Sequence, residues 1–127
     1  MSAEMTGLWS VDSGTARLNG IRCSSCGLVL FPPQLYGCPA CGAGPGELIP
    51  AALPAAGRLH SFAVVNLHPS HPTPYTILEV ELDSGPLVRA LAASNFDPRI
   101  NDRVEGHEAQ VDGTPQLVFE RARVPLA

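Results

Sequence analysis

A chain of 127 residues, 45% hydrophobic and 16% charged, has the length of one ordinary domain or of a small module followed by a minimal domain, and it is apolar enough to bury a core. Its formal charge is −4, and all eight basic residues are arginines scattered along the chain. That distribution lacks the basic stripe that a phosphate backbone demands, so nucleic acid is a disfavoured partner. Thirteen prolines and twelve glycines argue against long helices and suit a β protein with many turns.

The first ten residues have neither the basic start nor the apolar run of a signal peptide. Residues 1–20 read as a weakly patterned N-terminal arm. Gly7, Gly14 and Gly20 oppose a long helix there, and Leu8 and Trp9 are an anchor for docking on the body of the protein. Residues 21–47 hold two cysteine pairs and their turns. Residues 48–57 are the most apolar stretch, but Pro50 and Pro54 interrupt them, so they are too broken to span a bilayer and read as a semi-rigid connector. The chain reads as cytoplasmic.

From Arg58 to the end at residue 127 the pattern is that of strands. The expected strands are 58–67, 75–82, 87–93, 103–111 and 116–122. The clearest is 75–82, where Thr76, Leu78, Val80 and Leu82 alternate with Ile77, Glu79 and Glu81. Asp83-Ser84-Gly85-Pro86 and Asp112-Gly113 are turn signals. Five short strands in this length predict a five-stranded OB-like barrel, with a small β-sandwich as the alternative.

Cys23 and Cys26 form one pair, and Cys38 and Cys41 the other, each followed by glycine. Two intervening residues let both sulfurs of a pair face one ion, and the glycine admits the positive φ of the knuckle. Four thiolates make a closed tetrahedral site, which points to one structural Zn²⁺ per chain. A module this short cannot bury enough surface to fold alone, so the metal supplies folding energy. Close pairs with no cysteine left over fit a reducing compartment better than disulfides. Iron is the competing metal, because a four-thiolate tetrahedron also holds it.

Other residues are less informative. His68-Pro69-Ser70-His71-Pro72 could bind a metal or form an acid/base pair, but a polar proline-rich loop is the favoured reading. His60 and His107 lie on strand patterns and read as barrel-surface residues. Glu79, Glu81 and Asp83 alternate along one strand and read as solvated outer-face charges. No serine has a nucleophile-elbow context, and no glycine-rich loop has the lysine of a phosphate cradle. With every cysteine assigned to metal, no thiol nucleophile remains. Phe31-Pro32-Pro33, Leu35 and Tyr36 lie between the knuckles and either pack on the barrel or mark a partner surface.

These motifs together resemble a known family, the rubredoxin-like zinc ribbon followed by an OB-fold that is found beside acyl-CoA enzymes and was long labelled a domain of unknown function. The likeness begins at Leu18-Asn19-Gly20-Ile21-Arg22-Cys23. It continues through Cys26-Gly27, Phe31-Pro32-Pro33 and Cys38-Pro39-Ala40-Cys41-Gly42. It then covers Gly57-Arg58-Leu59-His60-Ser61-Phe62, Pro74-Tyr75 and Leu78-Glu79-Val80-Glu81-Leu82-Asp83-Ser84-Gly85. The longer N-terminal helix with a Phe-Trp pair, common in the family, is replaced by Leu8-Trp9, and the histidine pair at 68 and 71 is unusual.

The resemblance implies a non-catalytic accessory subunit that binds a thiolase-fold enzyme, or a hydratase or aldolase, acting on acyl-CoA esters. One such subunit is the small partner of a thiolase acting on benzoylsuccinyl-CoA. The barrel would pack on the enzyme and support complex assembly and CoA-ester binding, in a hetero-oligomer whose catalytic residues come from the partner. Arg58, Arg89, Arg99 and Arg103 could meet CoA phosphates, although scattered arginines are ordinarily solvated. A ribbon and barrel that binds single-stranded nucleic acid is the alternative from another class.

Overall fold

The structure, a computed structural model, describes residues 8–12 and 15–122. The described residues form nine strands: β1 (Trp9–Asp12), β2 (Thr15–Cys23), β3 (Val29–Leu30), β4 (Leu48–Pro54), β5 (Ala56–Val65), β6 (Tyr75–Leu82), β7 (Leu87–Ala92), β8 (Arg103–Val111) and β9 (Thr114–Arg121). A short 3-10 turn, Pro45–Glu47, precedes β4. No helix among the described residues is long and apolar enough to cross a membrane.

The last five strands close into a barrel in the order β5-β6-β7-β9-β8, with β8 returning to β5. All neighbours are antiparallel except β7 and β9, which are parallel, because the chain crosses from β7 to β8 and then turns back into β9 beside β7. This is the five-stranded Greek-key barrel expected from the sequence. In β6 the period of two places Leu78, Val80 and Leu82 in the core while Glu79 and Glu81 stay outside it.

Two segments differ from the sequence reading. Residues 48–54, read as a connector, form β4, which pairs along β2 from Arg17↔Pro54 to Cys23↔Leu48. Pro50 and Pro54 are tolerated because β4 is an edge strand. They lie four residues apart, on the same parity, so both missing N–H groups fall away from the ladder. The weakly patterned arm also holds strands. Strand β2 carries straight through residue 20, and β1 folds back on it with Trp9 opposite Leu18. Gly20 does not break β2. A Cβ there would come within 2.7 Å of both the Leu30 carbonyl oxygen and Leu53, so the close approach of β3 and β4 requires glycine.

One core joins the two sheets. Ala16, Leu18, Leu53 and Ala55 from the ribbon side cluster with Leu59, Leu78, Val80, Leu82, Val88, Val104 and Phe119 from the barrel. The ribbon is therefore fixed against the barrel by apolar burial, not tethered to it. Trp9 completes the join. It is buried, and its indole Nε1–H donates to Glu108 Oε1 on β8 at 3.1 Å. Trp9→Phe keeps most of the apolar contact and removes this bond. We expect it to cost about 1 kcal/mol, read as a lowered urea midpoint, with no change in metal content.

Candidate metal centre

The four cysteines stand on two matching turns. The first turn leaves β2 at Cys23, whose N–H donates to the Leu28 carbonyl at 2.8 Å while Gly27 N–H donates back to the Cys23 carbonyl at 2.8 Å. The second repeats the pattern: Cys38 N–H donates to the Ala43 carbonyl at 2.9 Å, and Gly42 N–H to the Cys38 carbonyl at 3.0 Å. Gly27 and Gly42 have φ of 86° and 79°, the left-handed conformation that lets each turn close behind its second cysteine. Ser24 ties the first turn to the 3-10 turn: its N–H donates to the Glu47 carbonyl at 2.8 Å, and its hydroxyl to Glu47 Oε1 at 2.7 Å.

These turns bring the four sulfurs within 4.8 Å of one another. Cys23 and Cys41 Sγ are 3.7 Å apart, and Cys26 and Cys38 Sγ are 3.6 Å apart. A metal about 2.3 Å from each of four tetrahedral sulfurs sets them roughly 3.8 Å apart, so the donor set fits such an ion. Cys23 and Cys38 are buried, whereas Cys26 and Cys41 face solvent. The protein supplies all four ligand positions and leaves none for a substrate, which makes the site structural in kind.

The thiols are unequal. The Cys41 backbone N–H, helped by that of Ala40, favours the Cys38 thiolate and brings its pKa down to about 7. For Cys26 the Leu28 N–H acts in the same direction. The Cys38 thiol, desolvation and the other two thiols outweigh it and push the group up to about 12. Four anionic sulfurs this close need a cation among them, and a bound metal reverses the balance for every thiol at once.

The remaining sequence candidates do not assemble into a second centre. His68 Nδ1 accepts the N–H groups of Ser70 and His71 at 3.0 and 3.1 Å, so that nitrogen is already engaged by its own loop. His71 lies beside it with ring centroids 4.3 Å apart and the rings tilted by 46°, and the pair shapes the loop before β6. His107 pairs with Glu120 at 3.2 Å across β8 and β9, and His60 is exposed on β5. Each acid of the β6 series meets a different arginine: Glu79 with Arg89, Glu81 with Arg58, and Asp83 with Arg103. Arg121 similarly holds Asp102 and lies over Phe96. Of the four arginines considered for CoA phosphates, Arg58, Arg89 and Arg103 are thus engaged with carboxylates.

These pairs give the protein an acid sensitivity. Arg103 holds the Asp83 carboxyl below its ordinary value of 3.8, Arg121 does the same for Asp102, and Ser61 followed by Arg89 lowers Glu79 below 4.5. A depressed folded pKa gives stability that is present above the unfolded value and lost as pH falls through the folded one. The urea midpoint should therefore hold steady near neutrality and decline below about pH 4. Asp83→Asn should lower the plateau slightly and shrink the decline. An unchanged acid limb in that variant would show that the Arg103 pair contributes nothing.

The phenylalanine between the knuckles and its two neighbours beyond the prolines separate in the structure. Phe31 packs against the shared core, whereas Leu35 and Tyr36 project into solvent. Phe31 also borders an apolar cavity of about 330 Å³ between the ribbon sheet and the barrel, lined with Leu8, Trp9, Leu18, Ile77 and Leu117. Gln34, which the sequence reading passed over, braces the intervening loop. No residue pattern announces that role.

Comparison with known proteins agrees with this geometry. The family model described as the ChsH2 rubredoxin-like zinc ribbon domain matches residues 16–45, from β2 through both knuckles. A DUF35 domain-containing scaffold protein of Methanothermobacter thermautotrophicus is 32% identical over 115 residues, spanning 83% of this chain and 81% of that protein. The chain belongs to the DUF35 family. The fold of this DUF35 protein is shared by a solved structure titled Ltp2-ChsH2(DUF35) aldolase, with a TM-score of 0.68 at 24% identity over 83% of this chain and 84% of that one. The family resemblance drawn from the ordered motifs and the ribbon-plus-barrel fold are both borne out.

Proposed function

We propose that this DUF35 chain is a non-catalytic accessory subunit of an acyl-CoA-processing complex, with a thiolase-fold enzyme as its partner. The observation that carries this reading is the fate of the cysteines. All four are drawn into one closed cluster, so the chain keeps no thiol for acyl transfer. Among the described residues, His68 shapes its loop, His107 meets Glu120, and Glu79 and Asp83 are paired with arginines. The scaffold name of the Methanothermobacter relative supports the accessory role, and the aldolase title of the structural match is in keeping with an enzyme as the partner.

In this reading Cys23, Cys26, Cys38 and Cys41 hold one structural Zn²⁺, which fixes the ribbon of residues 21–47 in a reducing, cytoplasmic setting. The barrel of β5 to β9 supports assembly and CoA-ester binding, and the partner supplies the catalytic residues. The test is gentle purification of the tagged chain from its native host, with mass spectrometry of what accompanies it. A stoichiometric thiolase-like, hydratase or aldolase subunit is the expected result. A chain that elutes alone would contradict it.

A further inference from the structure

The loop between the two knuckles has a feature that the fold does not need. Leu35 is 79% exposed and Tyr36 is 91% exposed, side by side at the ribbon tip. An isolated exposed apolar residue is ordinary, but an adjacent pair at the end of a braced loop is not. Gln34 supplies the brace. Its Nε2 donates to the Gly37 carbonyl at 2.6 Å, and its Oε1 accepts the N–H groups of Tyr36 and Gly37. The next residue is Cys38, the first ligand of the second knuckle, so the tip is seated on the metal-bound turn. The two side chains are thus held in place before any contact is made, and that pre-organisation lowers the entropic cost of binding.

The charge around the tip restricts what it can meet. Residues 23–57 contain no Lys or Arg, and Glu47 is their one acidic residue. Four thiolates around a divalent ion leave a net charge of about −2, and two of those sulfurs face solvent. The tip is therefore a convex apolar knob on a negative base. Its complement is an apolar cleft with a basic rim.

We propose that Leu35 and Tyr36 form the anchor by which the ribbon docks into such a cleft on the partner enzyme subunit. This rests on the accessory-subunit reading above and names the residues that would make it work. Tyrosine is a frequent hot-spot residue, because it buries a large rigid surface and still offers a hydroxyl.

The test uses the full metal-loaded chain and the enzyme subunit that co-purifies with it. Dissociation constants are measured for the unaltered chain and for Leu35→Ser, Tyr36→Ala, Gln34→Ala and Leu67→Ser. Leu67 is 91% exposed on a different loop, the one after β5, and serves as the control. Leu35→Ser and Tyr36→Ala should each weaken binding about tenfold or more. Gln34→Ala should weaken it by a smaller factor by loosening the brace, and Leu67→Ser should leave it unchanged. All variants should keep their metal, since Leu35, Tyr36 and Leu67 are exposed and Gln34 is not a ligand. Added salt should weaken binding of the unaltered chain through its rim charges.

Binding of the unaltered chain with Leu35→Ser and Tyr36→Ala within about twofold of it would overturn the anchor and leave the accessory role standing. Failure of the unaltered chain to bind any acyl-CoA enzyme would overturn both.

Discussion

Cys38→Ser is expected to abolish stoichiometric metal binding and unfold the ribbon. Cys38 is 4% exposed, and its thiolate is stabilised by the backbone N–H groups of Cys41 and Ala40. Serine keeps the size but offers a hydroxyl that does not ionise near neutrality, so the tetrahedron loses a soft anionic ligand. Structural zinc sites of this kind contribute on the order of 10 kcal/mol of apparent binding free energy to folding. The knuckles have little else, because between them only Val29 and Phe31 pack on the core, and both are only partly buried. The barrel has its own closed hydrogen-bonded ladder and should survive, but with a lower midpoint, because Leu18 and Leu53 would lose their ordered setting. Elemental analysis and amide exchange check this. About one zinc per unaltered chain, none in Cys38→Ser, and lost protection confined to the ribbon sheet are the expected results. A variant that keeps a full equivalent, or iron in the unaltered protein, would contradict the assignment.

Phe119→Ala should be the most damaging change in the barrel. The side chain has no exposure and belongs to the cluster that joins the barrel to Ala55 and Leu53. Its ring lies so close over Gly106 that a Cβ there would come within 3.0 Å of it. The neighbouring backbone cannot collapse into the space, because Phe119 also accepts the Ala93 N–H at 2.9 Å and faces Gly106 in the β8–β9 ladder. Truncation therefore leaves a cavity, at a cost of about 3–5 kcal/mol. That is a large share of the roughly 5–15 kcal/mol that holds a domain folded. Thermal and urea unfolding should both report it. A loss under about 1 kcal/mol would mean that the two sheets do not share this core.

The barrel was legible because its signals are local. Alternation along 75–82 gave β6 residue for residue, and the turn signals at 83–86 and 112–113 marked the junctions of β6 with β7 and of β8 with β9. The knuckles were legible because spacing alone brings two sulfurs to one side. The ribbon sheet was not. Pro50 and Pro54 look like breakers until β4 is known to be an edge strand, and Gly20 looks like a breaker until two strands are seen to crowd its α-carbon. Both features depend on what lies beside the strand, which no single segment states. The same limit applied to Glu79, Glu81 and Asp83. Their alternation was visible in the sequence, but their three separate arginines lie far along the chain or across a turn. Phe31 and Tyr36 show the limit most plainly: two aromatics five positions apart, one packed on the core and the other held out from it.

The most direct test of the accessory role is reconstitution. The co-purifying enzyme subunit is assayed on its acyl-CoA ester alone, with the metal-loaded chain, and with Cys38→Ser, beside the chain by itself. Turnover that requires the metal-loaded chain, fails with Cys38→Ser and is absent from the chain alone is the expected result. Turnover by the chain alone, or an enzyme equally active without it, would contradict the claim that this protein assembles the reaction and leaves the chemistry to its partner.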